Sequence, residues 1–177
     1  RFRNLGGSTN HKDFLRGYGF QGAAWRGDHR ELIKKTGYGK DLKDAFLTPG
    51  DWAMSIQGYG EILPYHDNRI YLDYNKKDMW GLPTITFDAE IKENEKAMRK
   101  DIRQQAVEML ESSGFRNVRE FDYGYGMGLA IHEMGTARMG RDPKTSLLNK
   151  HNQLHAVPNV YVTDGSAMTS SGSQNPS

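Results

Sequence analysis

The stretch 88–113 constrains the fold most, because no other part of the chain keeps a helical period over such a length. Its apolar residues recur at helical spacing and form one stripe, which consists of Ile91, Met98, Ile102, Ala106, Met109 and Leu110. Asp88 can cap the start of this helix, and Gly114 can end it. The sequence therefore predicts one long amphipathic helix whose charged face is solvated.

Three short stretches before this helix have the composition and the two-residue period of β-strands. They are residues 51–62, 70–74 and 84–87. A capping pattern at Asp28-His29-Arg30-Glu31 predicts a further short helix, which Gly37 ends. Separate strands and helices in this order predict the α+β class.

Composition and charge restrict the class of partner. A length of 177 residues is enough for one domain with a core, and a net charge of +2 gives no electrostatic reason to expect nucleic acid. The absence of cysteine excludes disulfides and thiolate chemistry. No apolar run approaches the roughly 20 residues of a membrane-spanning helix. We therefore predict no nucleic-acid partner and no membrane span.

Two short patterns suggest ligands but lack the context that such sites need. Residues 17–22 match the dinucleotide fingerprint G-x-G-x-x-G, yet no apolar strand precedes them and no helix follows. A glycine-kinked strand or loop is therefore favoured over an NAD site. His151 and His155 stand four positions apart, as two metal ligands on a helix can. No helical period or third ligand accompanies them, and we predict no metal site.

Two late segments could carry chemistry. His132 lies in a glycine-rich loop, and a histidine titrates near neutrality and can take a proton from an alcohol. Taken alone, such a histidine is more often structural than catalytic. The apolar run 160–163 predicts a strand that enters a tight turn at Asp164-Gly165-Ser166. Backbone N–H groups of that turn could meet ligand oxygens, or Asp164 could be a plain turn residue.

The order of these segments is more specific than any one of them. Residues 132–140 read His-Glu-Met-Gly-Thr-Ala-Arg-Met-Gly, residues 142–146 read Asp-Pro-Lys-Thr-Ser, residues 160–165 read Val-Tyr-Val-Thr-Asp-Gly, and residues 174–177 read Gln-Asn-Pro-Ser. This pattern resembles the C-terminal signature of the glucose-methanol-choline (GMC) oxidoreductases. Within that family it is most similar to the branch of pyranose oxidases and bacterial sugar or glycoside dehydrogenases.

The resemblance implies a flavoenzyme that oxidises a CH–OH group of a sugar, glycoside or other alcohol by hydride transfer to FAD. By the same resemblance, His132 is the base and Asn175 is the second catalytic residue. The positions that it places against the cofactor are Thr136, Asp164, Gly165, Asn175 and Pro176.

The resemblance also implies an architecture. We expect an antiparallel sheet flanked by helices, with residues 1–60 as an irregular part of the substrate domain. Residues 61–177 are expected to form the C-terminal domain with the histidine and the flavin-facing segment. The chain begins at Arg1 and has no N-terminal FAD motif, so we expect a fragment that is inactive alone. Its expected partner is the missing Rossmann-like FAD domain of the same enzyme.

Several points stay open at this stage. The substrate, the choice between oxidase and dehydrogenase, an electron-acceptor partner, and the compartment, whether bacterial cytoplasm or periplasm, are not determined by the sequence. A second hypothesis is a non-catalytic carbohydrate-binding or interaction domain of the same family. In that case the nine tyrosines and Trp25, Trp52 and Trp80 could offer faces that stack on sugars.

Overall fold

The computed structural model describes residue 4 and the ranges 7–27, 38–47 and 50–172. The short helix predicted over 28–37 lies outside these residues, as do Asn175 and Pro176. The elements are β1 (Tyr18–Arg26), α1 (Lys40–Leu47), β2 (Trp52–Gly60), β3 (Arg69–Lys77), β4 (Pro83–Asp88) and α2 (Glu93–Ser112). Short 3₁₀ turns cover Gly7–Thr9 and Gly165–Ala167.

The class is α+β, as the sequence predicts, but the strands form two sheets. Within the described residues, β1 pairs with β2 and β3 pairs with β4, so each sheet has two strands. The expected single sheet is therefore corrected to two smaller ones. The chain divides into two compact units, Phe20–Gly58 and Arg1–Gly19 with Tyr59–Ser177. No helix in the described ranges is long and apolar enough to cross a bilayer.

The glycine pattern at 17–22 lies at the start of β1 and is part of a strand. Gly17 O accepts a hydrogen bond from Glu61 N (3.4 Å), and Gly27 N donates to Asp51 O (3.0 Å), so β1 and β2 run antiparallel. A Cβ at Gly22 would lie 2.5 Å from the Ser55 carbonyl oxygen. The glycine is needed for close approach of the strands, and the prediction of a glycine-bearing strand is confirmed.

β3 and β4 form a regular antiparallel ladder, which confirms the strands predicted over 70–74 and 84–87. Ile70 lies opposite Phe87, and Leu72 lies opposite Ile85. The connecting turn is closed by Asp78, whose side chain accepts hydrogen bonds from the backbone N–H groups of Trp80 and Leu82 (2.9 Å each). Asp at this position of a turn supplies such bonds at little cost.

α2 ends where predicted but begins later. Gly114 follows it in the left-handed conformation (φ +88°), and its N–H donates to Glu111 O at 2.9 Å. The expected start at Asp88 is wrong, because Asp88 is the last residue of β4 and pairs with Arg69. The helix begins at Glu93.

The start of α2 is built on a buried carboxylate. Glu95 is only 4% exposed, and its carboxylate accepts hydrogen bonds from Leu63 N (3.1 Å), Tyr65 Oη (3.2 Å), Lys92 N (3.2 Å) and Asn94 Nδ2 (3.0 Å). A buried charge is tolerated when such donors replace water. Burial and then the Glu95 charge raise the pKa of the Tyr65 phenol. This network ties the loop before β3 to the helix.

Candidate active site

The loop that carries His132 has no regular secondary structure, as the sequence predicts. It lies between a turn at Met127 and Gly128 and a turn at Thr136 and Ala137, and His132 is half-buried in it. Gly128 (φ +85°) and Gly135 (φ +84°) both adopt the left-handed conformation, which glycine enters without steric cost. The backbone therefore bends sharply on both sides of His132.

The residue before His132 is also left-handed, although it is not glycine. Ile131 has φ +71°, and its side chain is 86% exposed. Glu133 Oε1 accepts a hydrogen bond from Ala130 N at 3.2 Å, and this bond closes a short loop that contains Ile131 and His132. A β-branched residue at positive φ is a steric outlier. This strained position was not anticipated from the sequence, because no local pattern marks it.

The structure brings the His132 segment together with the segment around Asp164 and Gly165. Ala137 N donates to Ser166 O at 3.0 Å, and Met139 N donates to Ala167 O at 2.9 Å. A Cβ at Gly165 would lie 2.8 Å from Met134 Sδ, so the two segments are in close contact at this point. Ala167 is buried beneath this contact. Two predicted site segments that are far apart in sequence are thus neighbours.

The predicted tight turn after residue 163 is present, whereas the predicted strand before it is not. Within the described residues, Tyr161 makes one isolated bridge with Gln153, and residues 160–163 form no strand. The apolar run lies beside the irregular segment 152–154. Leu154 N donates to Val160 O (3.0 Å), and Val162 N donates to Asn152 O (2.9 Å). Without a straight neighbour, its β-propensity does not produce a ladder.

Asp164 caps the 3₁₀ turn Gly165–Ala167. Its Oδ1 accepts hydrogen bonds from Ser166 Oγ (2.5 Å) and from Ser166 N (2.8 Å). These two bonds, the hydroxyl first, lower the pKa of the exposed Asp164 carboxyl. The role as a turn residue is therefore visible in the contacts, and any contact with a cofactor would come in addition to it.

His155 belongs to an internal brace, which is formed by its contacts with Gly140 and Ser146. Its Nε2 lies 3.2 Å from both Gly140 O and Ser146 Oγ. A carbonyl oxygen only accepts, so Nε2 carries the proton toward Gly140. A Cβ at Gly140 would lie 2.6 Å from Ser146 Cβ, which explains the glycine. Within the described ranges, no group of three or more metal-ligating side chains occurs.

Of the remaining predicted site residues, the structure describes Thr136 but not Asn175 and Pro176. Thr136 is exposed beside the contact between the two segments. Asn175 and Pro176 lie outside the described residues, so their roles stay predictions. A shallow cleft of about 500 Å³ lies at the start of α2 and is lined by residues such as Tyr65, Lys92 and Lys96. None of the predicted site residues lines that cleft.

Comparison with known proteins now decides the family. The family model described as GMC oxidoreductase matches residues 64–177, which is more than half of the chain. The chain belongs to the GMC oxidoreductases. The resemblance found in the sequence is therefore confirmed.

Individual relatives agree with this assignment. The chain is 32% identical over 175 residues to the 2-methyl-1,2-propanediol dehydrogenase of Mycolicibacterium austroafricanum, which covers 96% of this chain and 31% of the relative. It is 30% identical over 113 residues to the paromamine 6'-oxidase of Streptomyces fradiae, and this match covers 64% of this chain and 20% of the relative. It is 27% identical over 145 residues to the gluconate 2-dehydrogenase flavoprotein of Pantoea cypripedii, and this match covers 78% of this chain and 24% of the relative. The chain spans less than a third of the length of each.

Proposed function

We propose that this chain is the substrate-binding and catalytic C-terminal portion of an FAD-dependent oxidoreductase. The reaction is oxidation of a CH–OH group of a sugar, glycoside or other alcohol. One observation carries the proposal: the His132 loop and the Asp164–Gly165 turn, which the family pattern links, are held side by side by the hydrogen bonds of Ala137 and Met139 to residues 166 and 167. The substrate class is supported by relatives named 2-methyl-1,2-propanediol dehydrogenase, paromamine 6'-oxidase and gluconate 2-dehydrogenase flavoprotein.

His132 is the proposed general base. A hydride leaves an alkoxide-like carbon far more readily than it leaves an alcohol, so the hydroxyl proton must be removed as the C–H bond breaks. A half-buried imidazole on a loop bent by Gly128 and Gly135 is suited to meet a hydroxyl that enters from outside this chain. Asn175 is the proposed partner, because a neutral amide orients the hydroxyl without competing for its proton.

FAD is the proposed cofactor, and bound FAD supplies the acceptor for the hydride. Thr136, Asp164 and Gly165 are proposed to lie against it, together with Asn175 and Pro176. Thr136 and Asp164 are both exposed, and the hydroxyl and the carboxylate that they carry are groups that can bond the hydroxyls of such a cofactor. The turn at Gly165–Ala167 holds the Asp164 segment in shape, because Ser166 N and Ala167 N both donate hydrogen bonds to Asp164.

The proposed partners follow from the length of the relatives. A GMC relative is about three times as long as this chain, so the remaining FAD-binding part is proposed to come from the same enzyme. Two relatives carry names that imply further subunits, a gluconate 2-dehydrogenase flavoprotein and the fructose dehydrogenase large subunit of Gluconobacter japonicus. We therefore include a separate electron-acceptor protein among the proposed partners. The chain alone is proposed to be inactive.

A non-catalytic carbohydrate-binding domain is the second candidate, and one surface favours it. Phe121, Tyr123 and Tyr125 alternate along a segment without regular secondary structure, with ring centroids 5.4 and 5.2 Å apart. All three rings are more than half exposed. Arg99 fixes this segment through an ion pair with Asp122 and a hydrogen bond to Tyr125 O (3.3 Å). Flat exposed rings of this kind can stack on sugar rings.

An anaerobic absorption spectrum separates the two candidates. The full-length protein that contains this chain is titrated with a panel of diols, sugars and glycosides while the flavin bands are recorded. The oxidoreductase proposal predicts a yellow protein whose bands bleach with at least one of these compounds. A full-length protein that neither carries nor takes up FAD, yet binds a sugar by calorimetry, would replace it with the binding domain.

A further inference from the structure

The strained backbone at Ile131 needs an explanation. Five described residues other than glycine have positive φ, and three of them are asparagines, Asn4, Asn117 and Asn152. Asparagine tolerates the left-handed region because its short side chain bonds locally. Arg16 is the fourth, and Ile131 is the β-branched fifth, for which this region is a true outlier. Strain of this kind gathers at functional sites and persists only where its surroundings impose it.

The contacts that flank Ile131 are made by its neighbours Ala130, Glu133 and Met134. Its side chain is 86% exposed, so side-chain packing does not hold it. On one side, the bond from Ala130 N to Glu133 Oε1 closes the loop over residues 131 and 132. On the other, Met134 is pressed against Gly165, where a Cβ would lie 2.8 Å from its sulfur. The bend between these two anchors falls on Ile131.

We propose that Ile131 is a positioning residue that orients His132 toward the reacting hydroxyl, an inference that rests on the proposed function. The left-handed φ turns the chain immediately before His132 and so sets the direction of its imidazole. The β-branched side chain leaves the loop fewer conformations than glycine would, and the contacts of the neighbouring residues select the left-handed one among them. A base held in one orientation reacts faster than one that samples several.

A merely structural turn at Ile131 makes a different prediction. If the residue served only folding, its replacement would change stability and leave the rate per folded, flavin-loaded molecule unchanged. If it orients His132, the rate of flavin reduction falls while the substrate KM changes little, because binding contacts elsewhere are kept. The loss also disappears when His132 is already absent.

The first test compares two substitutions in the full-length, flavin-loaded protein. Ile131→Gly permits the left-handed backbone but loosens it, and we expect flavin reduction to slow by about tenfold, since small misplacements of a catalytic group cost one to two orders of magnitude. Ile131→Asn favours the same backbone conformation and should stay within about threefold of wild type. Asn117→Gly is the matched control, because Asn117 is also left-handed (φ +58°), and it should leave the rate unchanged.

The second test is a double-mutant cycle with His132→Ala. Ile131→Gly should add no further loss in the His132→Ala background. A second tenfold loss there would overturn the positioning role, as would a wild-type rate for Ile131→Gly alone. If His132→Ala alone leaves the rate of flavin reduction unchanged, the assignment of His132 as the base in the proposed function fails instead. Should Ile131→Gly not retain flavin, Ile131→Ala serves in the same cycle, with a smaller loss expected in the same direction.

A readout without turnover completes the test. The imidazole Cε1–H resonance of His132, assigned through its loss in His132→Ala, reports the local conformation directly. We expect the same position for wild type and Ile131→Asn, and a shifted or broadened signal for Ile131→Gly. Identical spectra for all three proteins would contradict the inference.

Discussion

The start of α2 and the His132 loop differ in how deeply their polar side chains are buried. Glu95 is buried, and four donors of this chain fill its carboxylate. The loop around His132 is bent at Ile131 and Gly135, and leaves its side chains half-buried or exposed. A satisfied buried group stabilises the fold. Strained backbone such as that at Ile131 costs stability and is often found at functional sites.

Removal of the Glu95 carboxylate should have the largest effect on stability. Glu95→Ala leaves Leu63 N, Tyr65 Oη and their neighbours without an acceptor in a buried place, which should cost about 3 kcal/mol of unfolding free energy. Denaturant unfolding followed by tryptophan fluorescence measures it. The matched control is Glu93→Ala two residues earlier, where the side chain is exposed and pairs with Lys96. That change should cost less than about 0.5 kcal/mol.

Loss of the bend at Gly135 should have a smaller effect on stability. Gly135→Ala places a Cβ at φ +84° and 3.4 Å from Met168 O, so about 1–2 kcal/mol is expected. The same unfolding experiment checks it. Gly126→Ala is the control, because Gly126 is not left-handed and a Cβ there would meet no atom within 4 Å. Equal costs for the two substitutions would show that the bend at Gly135 is not imposed by the structure.

The Asp164 cap should have the smallest effect, and one that depends on pH. The pKa of Asp164 is lowered below its usual 3.8 in the folded chain, so its contribution is present above that value and lost as the pH falls through the lower folded value. Asp164→Ala should lower the thermal midpoint slightly at pH 7, and the difference should shrink below pH 3.8. Asp164→Asn keeps an acceptor that does not ionise, and its midpoint should lack this part of the pH dependence. If the difference in thermal midpoint between wild type and Asp164→Ala grew as the pH fell, the capping role of the Asp164 carboxylate would be contradicted.

The sequence predicts the strands β3 and β4 and the end of α2 because local chemistry decides them. Alternating side chains mark the strands, and the glycine after α2 takes a conformation that few other residues adopt. The start of α2 could not be predicted in this way. Asn68, 22 residues upstream, bonds Glu90 N and O (3.1 Å each) and holds that segment extended. A capping signal at Asp88 cannot override this long-range contact.

In the candidate site, too, some features follow from the sequence pattern and others depend on contacts between distant segments. The order of motifs, read as a family pattern, identified His132, Asp164 and Gly165, and the structure brings their segments together. The left-handed Ile131 and the brace of His155 had no local signal, because both depend on contacts between segments. The roles of these residues in chemistry stay proposals.

The proposed base is tested most directly by the rate of anaerobic flavin reduction in His132→Ala, measured by stopped flow in the full-length protein at saturating substrate. Loss of a general base should slow this step by about 10²–10⁴-fold. FAD absorbance should be unchanged, and added imidazole should restore part of the rate. A reduction rate within a few-fold of wild type would contradict the assignment of His132 as the base.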